Sequence, residues 1–271
     1  RESLRIGSAN MKILENDGLP IEIVGPDRAV EIDPCLKRVR DRFAGGIFIP
    51  GDESGDSRLF TEGLVESCRE LGGSFEFGPV IREIKTNGSH VERVVTHRGD
   101  FEAELYVMCL GCWSPLFSRS LGVRLSIYPV KGYSVTFPVK PGGEIPEKGG
   151  VDEDNLLAYA RMGERLRLTS NAEFAGYNTR HRPEDFEGMT EAAKSLLPDA
   201  CDYSKPSYWA GLRPMTPEGF PIFGTGRHHN LYYNTGHGHM GWTMSCGSAR
   251  ITADLIAGRR PGFDHSGMGV R

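Results

Sequence analysis

The sequence predicts a mixed α/β fold in which a mostly antiparallel sheet interrupts an α/β domain. A helical apolar period over 58–71 precedes a hairpin signal at 87–88 and a continuous apolar run at 105–110. From 126 to about 214 apolar and polar residues alternate, as in an antiparallel sheet. Strand and helix patterns then return. This order is typical of a nucleotide-binding domain interrupted by a substrate domain.

Turn residues and periodicity predict the individual elements. A first helix ends near Asn16-Asp17-Gly18, and the helix over 58–71 is stopped by Gly72-Gly73. The run at 105–110 is expected to be buried on both faces of a parallel sheet. Other predicted elements are strands at 74–86, 90–99, 101–111, 221–224 and 230–235, a short helix after Ser114, and helices over 183–197 and 242–257.

Composition and charge exclude several classes of protein. The chain has 271 residues, 38% hydrophobic and 25% charged, with a formal net charge of −4. No basic stripe is present, so nucleic acid is not expected as a partner. No apolar run reaches the ~18 residues that a membrane span needs. Peripheral contact with the inner face of the cell membrane is left open.

The six cysteines are scattered, which favours buried, reduced thiols and a cytoplasmic location. Cys109 and Cys112 form a C-x-x-C. There is no second pair and no histidine at ligand spacing, so no metal site is predicted.

A glycine loop near the C-terminal end matches G-x-G-x-x-G from Gly236 to Gly241, between a predicted strand and a predicted helix. Too few residues follow it for a Rossmann unit, and Asp254 lies inside the closing helix, away from any second strand end. We therefore do not interpret it as the pyrophosphate turn. A glycine loop that opens a helix still presents backbone N–H groups and a positive dipole end, which stabilise an anion such as a reduced flavin. A plain strand–helix turn is the alternative, and positive φ is expected at Gly238 and Gly241.

Three longer segments, 128–139, 171–179 and 211–258, resemble the glycine/D-amino-acid oxidase superfamily of flavoproteins, and within it the bacterial D-amino-acid dehydrogenases. Segments 106–115 and 47–64 fit the same group, so the resemblance covers nearly the whole chain. It implies FAD as cofactor and an FAD/NAD(P)-binding Rossmann-like domain that lacks its first βαβ unit here. The implied organisation is substrate domain at 1–50 and 126–215, FAD domain at 51–125 and 216–271.

The chain opens without Met on what reads as the interior of a helix. With no segment corresponding to the pyrophosphate turn of the family, we expect a truncated chain that is inactive alone.

The resemblance also implies roles for particular residues. Arg213 falls where members bind the substrate carboxylate, and His239 where some also contact substrate. Tyr133 and Tyr159 lie on the expected substrate sheet and belong either to the pocket or to the core. The implied cofactor-binding residues are Ile81, Gly111, Gly236, Gly238, His239, Met240, Gly241, Trp242 and Thr243.

The implied reaction is oxidative deamination of a small D-amino acid to a keto acid and ammonia, with hydride transfer to flavin N5. This chemistry requires no acid/base pair, and none is assigned. Electrons would leave to a quinone, a carrier or oxygen. The alternatives are a sarcosine- or glycine-type amine oxidase or demethylase, for which Cys246 raises the question of covalent flavin, and a non-catalytic fragment or subunit that needs a partner chain.

Overall fold

The structure, a computed structural model, describes residues 2–270. This part of the chain contains both helices and strands. The α-helices are α1 (Glu2–Asn16), α2 (Pro26–Ile32), α3 (Ser57–Glu70), α4 (Ser114–Ser118), α5 (Glu187–Leu196) and α6 (Gly241–Ile256). The strands are β1 (Glu22–Val24), β2 (Gly46–Phe48), β3 (Ile81–Asn87), β4 (His90–Thr96), β5 (Gly99–Phe101), β6 (Tyr106–Met108), β7 (Tyr128–Pro138), β8 (Gly150–Asp152), β9 (Leu157–Met162), β10 (Arg165–Glu173), β11 (Ser207–Met215), β12 (Ile222–Thr225) and β13 (Leu231–Thr235). Short 3₁₀ helices cover Pro34–Arg42, Gly111–Trp113 and Pro183–Phe186.

The chain divides into two compact units, each built from three segments. Unit 1 comprises Arg1–Phe60, Gly132–Ala172 and Arg180–Gly211. Unit 2 comprises Thr61–Lys131, Glu173–Thr179 and Leu212–Arg271. The assignment of substrate and FAD roles to stretches of the chain stays a prediction.

The main sheet has five strands in the order β11-β7-β10-β9-β8. Strand β9 pairs antiparallel with both β8 and β10, as the alternating pattern predicts. Within unit 1 one face of this sheet packs on α5, with Val135, Leu157, Leu166 and Phe186 fully buried or nearly so. The opposite face carries mostly polar and small residues of the same strands, together with the exposed Trp209, because successive side chains alternate.

Unit 2 contains two three-stranded sheets. In the first, β13 lies between β12, its antiparallel neighbour, and β6, its parallel neighbour. The second is the meander β3-β4-β5. The Asn230 side chain joins the two, since it accepts from the Val91 amide at 2.8 Å and donates to the Val91 carbonyl at 2.9 Å. Met108, Leu231 and Tyr233 form the buried centre of this unit.

The mixed α/β class predicted from the sequence is confirmed, as are α1, α3, α4, α5, α6 and the hairpin at Asn87-Gly88. Gly88 has φ +61°, as a tight hairpin turn requires. The prediction of a strand from residue 74 is wrong before Ile81: residues 74–80 form no strand, and Pro79 cannot donate to a ladder.

Two predictions about burial are also wrong. The apolar strand β6 is buried on one face only, because Met108 points into the core while Val107 is 44% exposed. The continuous apolar sequence of β6 therefore does not indicate a strand that is buried on both faces. All six cysteines are free, but Cys68, Cys109 and Cys246 are exposed. Cys246 lies on helix α6, whose buried residues are Ser248, Thr252 and Asp254, and Cys68 lies on α3, which has no buried residue among those described.

Of the helices formed by residues 2–270, none combines the length and the apolar character needed to cross a bilayer.

Candidate functional site

The candidate site in unit 2 begins where the parallel strands β6 and β13 end. The Thr235 hydroxyl lies 2.8 Å from the buried Ser114 hydroxyl and donates to the Gly111 carbonyl at 3.3 Å. Gly111 has φ +52°, a conformation that favours glycine. The chain can therefore leave β6 sharply and start a helix. The carboxyl ends of parallel strands are where α/β sheets bind their ligands.

The glycine loop packs directly against the end of β11. The Gly238 amide donates to the Pro214 carbonyl at 2.9 Å, and a Cβ on Gly238 would lie 3.1 Å from Met215 Sδ. A Cβ on Gly236 would lie 2.8 Å from Thr216 Cγ2. Both glycines have positive φ, +78° at Gly236 and +57° at Gly238. The loop is thus fixed by close backbone approach, for which only glycine fits.

Helix α6 starts at the end of this loop. Its N-cap residue, Met240, makes no side-chain capping hydrogen bond, and no acidic residue lies in the first turn. The amides of Gly241, Trp242 and Thr243 are in that turn. Such an end carries partial positive charge and suits an anion. The prediction of positive φ at Gly241 is wrong: Gly241 is the first helical residue, and a Cβ there would make an ordinary 3.5 Å contact with His237 Cβ.

Arg213 lies on β11, beside the Pro214 that accepts from the glycine loop. Gly111 lies against the same proline, since a Cβ added to Gly111 would be 3.9 Å from Pro214 Cγ. Arg213 is half-buried, and burial lowers the pKa of its guanidinium. Arg213 is thus the residue before the proline that Gly111 and the glycine loop both contact in unit 2.

The other predicted cofactor residues of unit 2 are spread more widely. His239, Met240 and Trp242 are exposed on the loop and the first turn of α6. Ile81 lies in the other sheet of unit 2, as the first residue of β3, where it pairs with Thr96 next to a register shift. Their contacts with FAD stay predictions.

Tyr133 and Tyr159 both lie on the core side of unit 1. Tyr133 is buried and its ring meets Phe186 edge-on at 5.5 Å. Tyr159 packs against the same core, and burial raises the pKa of its hydroxyl. The structure therefore gives both tyrosines packing roles, one of the two alternatives that the sequence left open. A role in lining a substrate pocket stays a prediction for each.

The segment Glu173–Thr179 belongs to unit 2, which the sequence did not reveal. The Tyr177 hydroxyl donates to the Cys112 carbonyl at 2.8 Å, one residue beyond Gly111. At the start of the segment Glu173 pairs with the buried Lys131 ammonium at 3.1 Å. Lys131 within the apolar run YPVKGYSV was the sequence signal for this contact, because a buried ammonium needs a charged partner. Across residues 2–270, no three His, Cys, Asp or Glu side chains come together as metal ligands.

Comparison with known proteins places this fold in one family. Residues 2–255 match the FAD dependent oxidoreductase family DAO, and the chain belongs to it. It is 46% identical over 269 residues to D-amino acid dehydrogenase 2 of Mesorhizobium japonicum, a match that covers 99% of this chain and 65% of that protein. It is 44% identical to D-amino acid dehydrogenase of Chromohalobacter salexigens, over 96% of this chain and 62% of that protein. The chain thus spans less than two thirds of the length of these relatives.

Solved structures agree on the fold. Glycine oxidase from Geobacillus kaustophilus superposes with a TM-score of 0.88 at 22% identity, covering all of this chain and 72% of that one. L-proline dehydrogenase from P. horikoshii gives a TM-score of 0.84 at 18% identity, over 96% of this chain and 70% of that one. At this identity the likeness concerns the fold alone.

The glycine loop gives a first prediction. Gly238→Ala should lower the free energy of unfolding by about 1–2 kcal/mol, because the new Cβ must adopt a left-handed conformation next to Met215. Gly247→Ala is the matched control: this exposed glycine lies inside α6 with open space around it, so alanine should stabilise the chain by about 0.5–1 kcal/mol. Urea unfolding measures both. Equal midpoints for the two variants would show that the loop is not held as described.

Proposed function

We propose that the chain is part of an enzyme that oxidatively deaminates a small D-amino acid to a keto acid and ammonia. One observation carries the proposal. The half-buried Arg213 lies next to the proline against which both Gly111 and the Gly236–Thr243 loop are packed. The two D-amino acid dehydrogenases that the chain resembles support the choice of substrate class.

Arg213 would hold the substrate carboxylate. Its planar guanidinium can donate two parallel hydrogen bonds to one carboxylate, which fixes the orientation of the α-carbon as well as the charge. Burial strengthens this interaction, since fewer waters compete for the fork. The proline that follows Arg213 limits the backbone freedom of the strand at this point.

The residues present fit FAD. The α6 N-terminus without a side-chain cap suits an anionic edge. The glycines of the loop that precedes it hold that loop against Thr216 and Met215. We propose that Gly111, Gly236, Gly238 and the first turn of α6 would hold it. When bound, FAD supplies the hydride acceptor, and a quinone, a carrier or oxygen would take the electrons onward.

The proposed reaction is tested on the complete enzyme. Keto acid and ammonia release should be measured with D-alanine and L-alanine as substrates and a dye as electron acceptor. We expect a clear preference for the D-isomer. Equal rates for the two isomers, or activity confined to N-methylglycine, would contradict the proposed substrate class.

FAD binding to the 271-residue chain gives a second prediction. Its one G-x-G-x-x-G opens α6 at the C-terminal end and does not start a Rossmann unit. We therefore expect FAD affinity weaker than micromolar, a binding free energy less favourable than about −8 kcal/mol. Titration of FAD followed by flavin fluorescence measures it. Micromolar or tighter binding would mean that a pyrophosphate site exists elsewhere in the chain.

A further inference from the structure

The two sheets of unit 2 are joined by a short set of hydrogen bonds between the chain before β13 and the start of β4. The Asn230 side chain bonds both the amide and the carbonyl of Val91, at 2.8 and 2.9 Å. The His229 amide donates to the Ser89 carbonyl at 2.9 Å. We call the two segments that meet here, 89–91 and 228–230, the clasp.

Three histidines lie within the clasp. The rings of His90 and His229 meet edge-on, with their centroids 5.9 Å apart. His228 is only 3% exposed, and its buried Nδ1 has no hydrogen-bond partner among residues 2–270. A protonated histidine carries a proton on both ring nitrogens. Protonation of His228 in the closed clasp would therefore create a buried N–H group with nothing to accept from it, which is costly.

The charges around His228 add to this cost. They come from Arg227 and from the other two histidines of the clasp, all of which are positive when protonated. The acidic residues closest in sequence to the clasp hydrogen bonds are Glu92 and Glu104, and within the described part of the chain neither forms an ion pair with a histidine. Burial, and then these positive groups, lower the pKa of His228. The closed clasp thus favours the neutral imidazole.

We propose that the clasp is an acid-sensitive joint, which holds the two sheets of unit 2 together at neutral pH and releases them below about pH 6. With all three imidazoles neutral, the clasp hydrogen bonds form without an opposing charge. On acidification the facing rings of His90 and His229 become two positive charges, and His228 gains a proton only when the clasp opens. The meander β3-β4-β5 then separates from the sheet that carries the glycine loop. This assignment requires neither FAD nor turnover and goes beyond the proposed reaction.

Acidification favours the open clasp because the open state binds more protons. A solvated histidine has a pKa of about 6.5, whereas the pKa of His228 in the closed clasp is lower. The stability that the neutral ring contributes is therefore fully present above about pH 6.5 and is lost as the pH falls below it. At pH 5.5 a single histidine that stays neutral in the closed clasp favours opening by up to about tenfold.

The test measures by NMR how fast the Asn230 side-chain amide protons exchange with water at pH 7.5 and at pH 5.5. These protons donate to carbonyls of the joint, and Asn230→Asp identifies their signals. Protection is the exchange rate of the exposed Asn10 side chain divided by that of Asn230 at the same pH. We expect protection in the unsubstituted chain to fall about threefold to tenfold on acidification.

Two variants show whether the histidines cause this fall. In the double variant His228→Gln with His229→Gln, protection should change less than about twofold between the two pH values, because neither replacement takes up a proton. His265→Gln is the matched control, since it removes a histidine of the same unit that lies outside the clasp, beside Asp264. It should leave the fall as large as in the unsubstituted chain.

Three results would overturn the proposal: no loss of protection in the unsubstituted chain, an equal loss in the double variant, or disappearance of the loss in His265→Gln. The pKa of His228, read from its ring-proton signals in the unsubstituted chain, is a second measurement that a folding defect of a variant cannot affect. It should lie below about 6.5. A value at or above 6.5 would mean that the closed clasp accepts the proton, and would also overturn the assignment.

Discussion

Replacement of Arg213 by alanine in the complete, flavin-loaded enzyme is expected to lower kcat/KM for D-amino acids by about 30-fold to several thousand-fold. Removing one partner of a buried charged pair costs about 2–5 kcal/mol, and each 1.4 kcal/mol is about tenfold. The carboxylate would stay desolvated but unpaired. FAD content and thermal unfolding should hardly change. Steady-state kinetics together with the flavin spectrum measure both effects.

Two further variants sharpen this prediction. Arg213→Lys should recover only part of the activity, because an ammonium lacks the planar fork. Arg260→Ala removes an exposed arginine of the same unit and should change kcat/KM less than about threefold. An Arg213→Ala enzyme that stays within threefold of the unsubstituted enzyme would remove Arg213 from the site, and with it the main support for an amino-acid substrate.

Phe186→Ala is expected to lower the free energy of unfolding by about 3–5 kcal/mol, the usual cost of emptying a buried aromatic site. Phe186 is 0% exposed. The centroid of its ring lies 4.6 Å from that of Tyr208 and 5.5 Å from those of Tyr133 and His181. Three aromatic neighbours leave the site little freedom to collapse. Chemical denaturation followed by far-UV circular dichroism measures the loss.

Leu71→Ala is the control for that experiment, because Leu71 is also large and apolar but 89% exposed. Its effect should stay within about 0.5 kcal/mol. A loss below about 1 kcal/mol for Phe186→Ala would mean that α5 is not packed on the sheet as the structure has it.

The secondary structure was largely predictable because local signals specify it. The helical spacing of apolar residues predicted α3 and α6, and Asn87-Gly88 predicted the hairpin. The two errors about burial share one cause, which is that burial depends on partners far away in the chain. The apolar run that contains Val107 is compatible with one covered face or two, and sequence pattern cannot distinguish these cases.

The candidate site was predictable in part. The resemblance to the family led to Arg213 and the glycine loop, but not to which glycines need a left-handed backbone: Gly236 and Gly238 do, and Gly241 does not. The side of the sheet on which a tyrosine lies depends on strand register, so the packing of Tyr133 in the core had to be read from the structure.

The parallel pairing of β6 with β13 has a consequence for how the protein folds. Tyr106 pairs with Leu231, and Met108 with Tyr233, so the strands that support the glycine loop come from distant parts of the sequence. Closing such a long loop costs entropy before any contact repays it, which makes this pairing intrinsically slow. On the ribosome β6 must wait, with the apolar Met108 uncovered, until β13 has been synthesised. We therefore expect unit 2 to reach its native packing late in synthesis and β6 to be the strand most prone to aggregation until then.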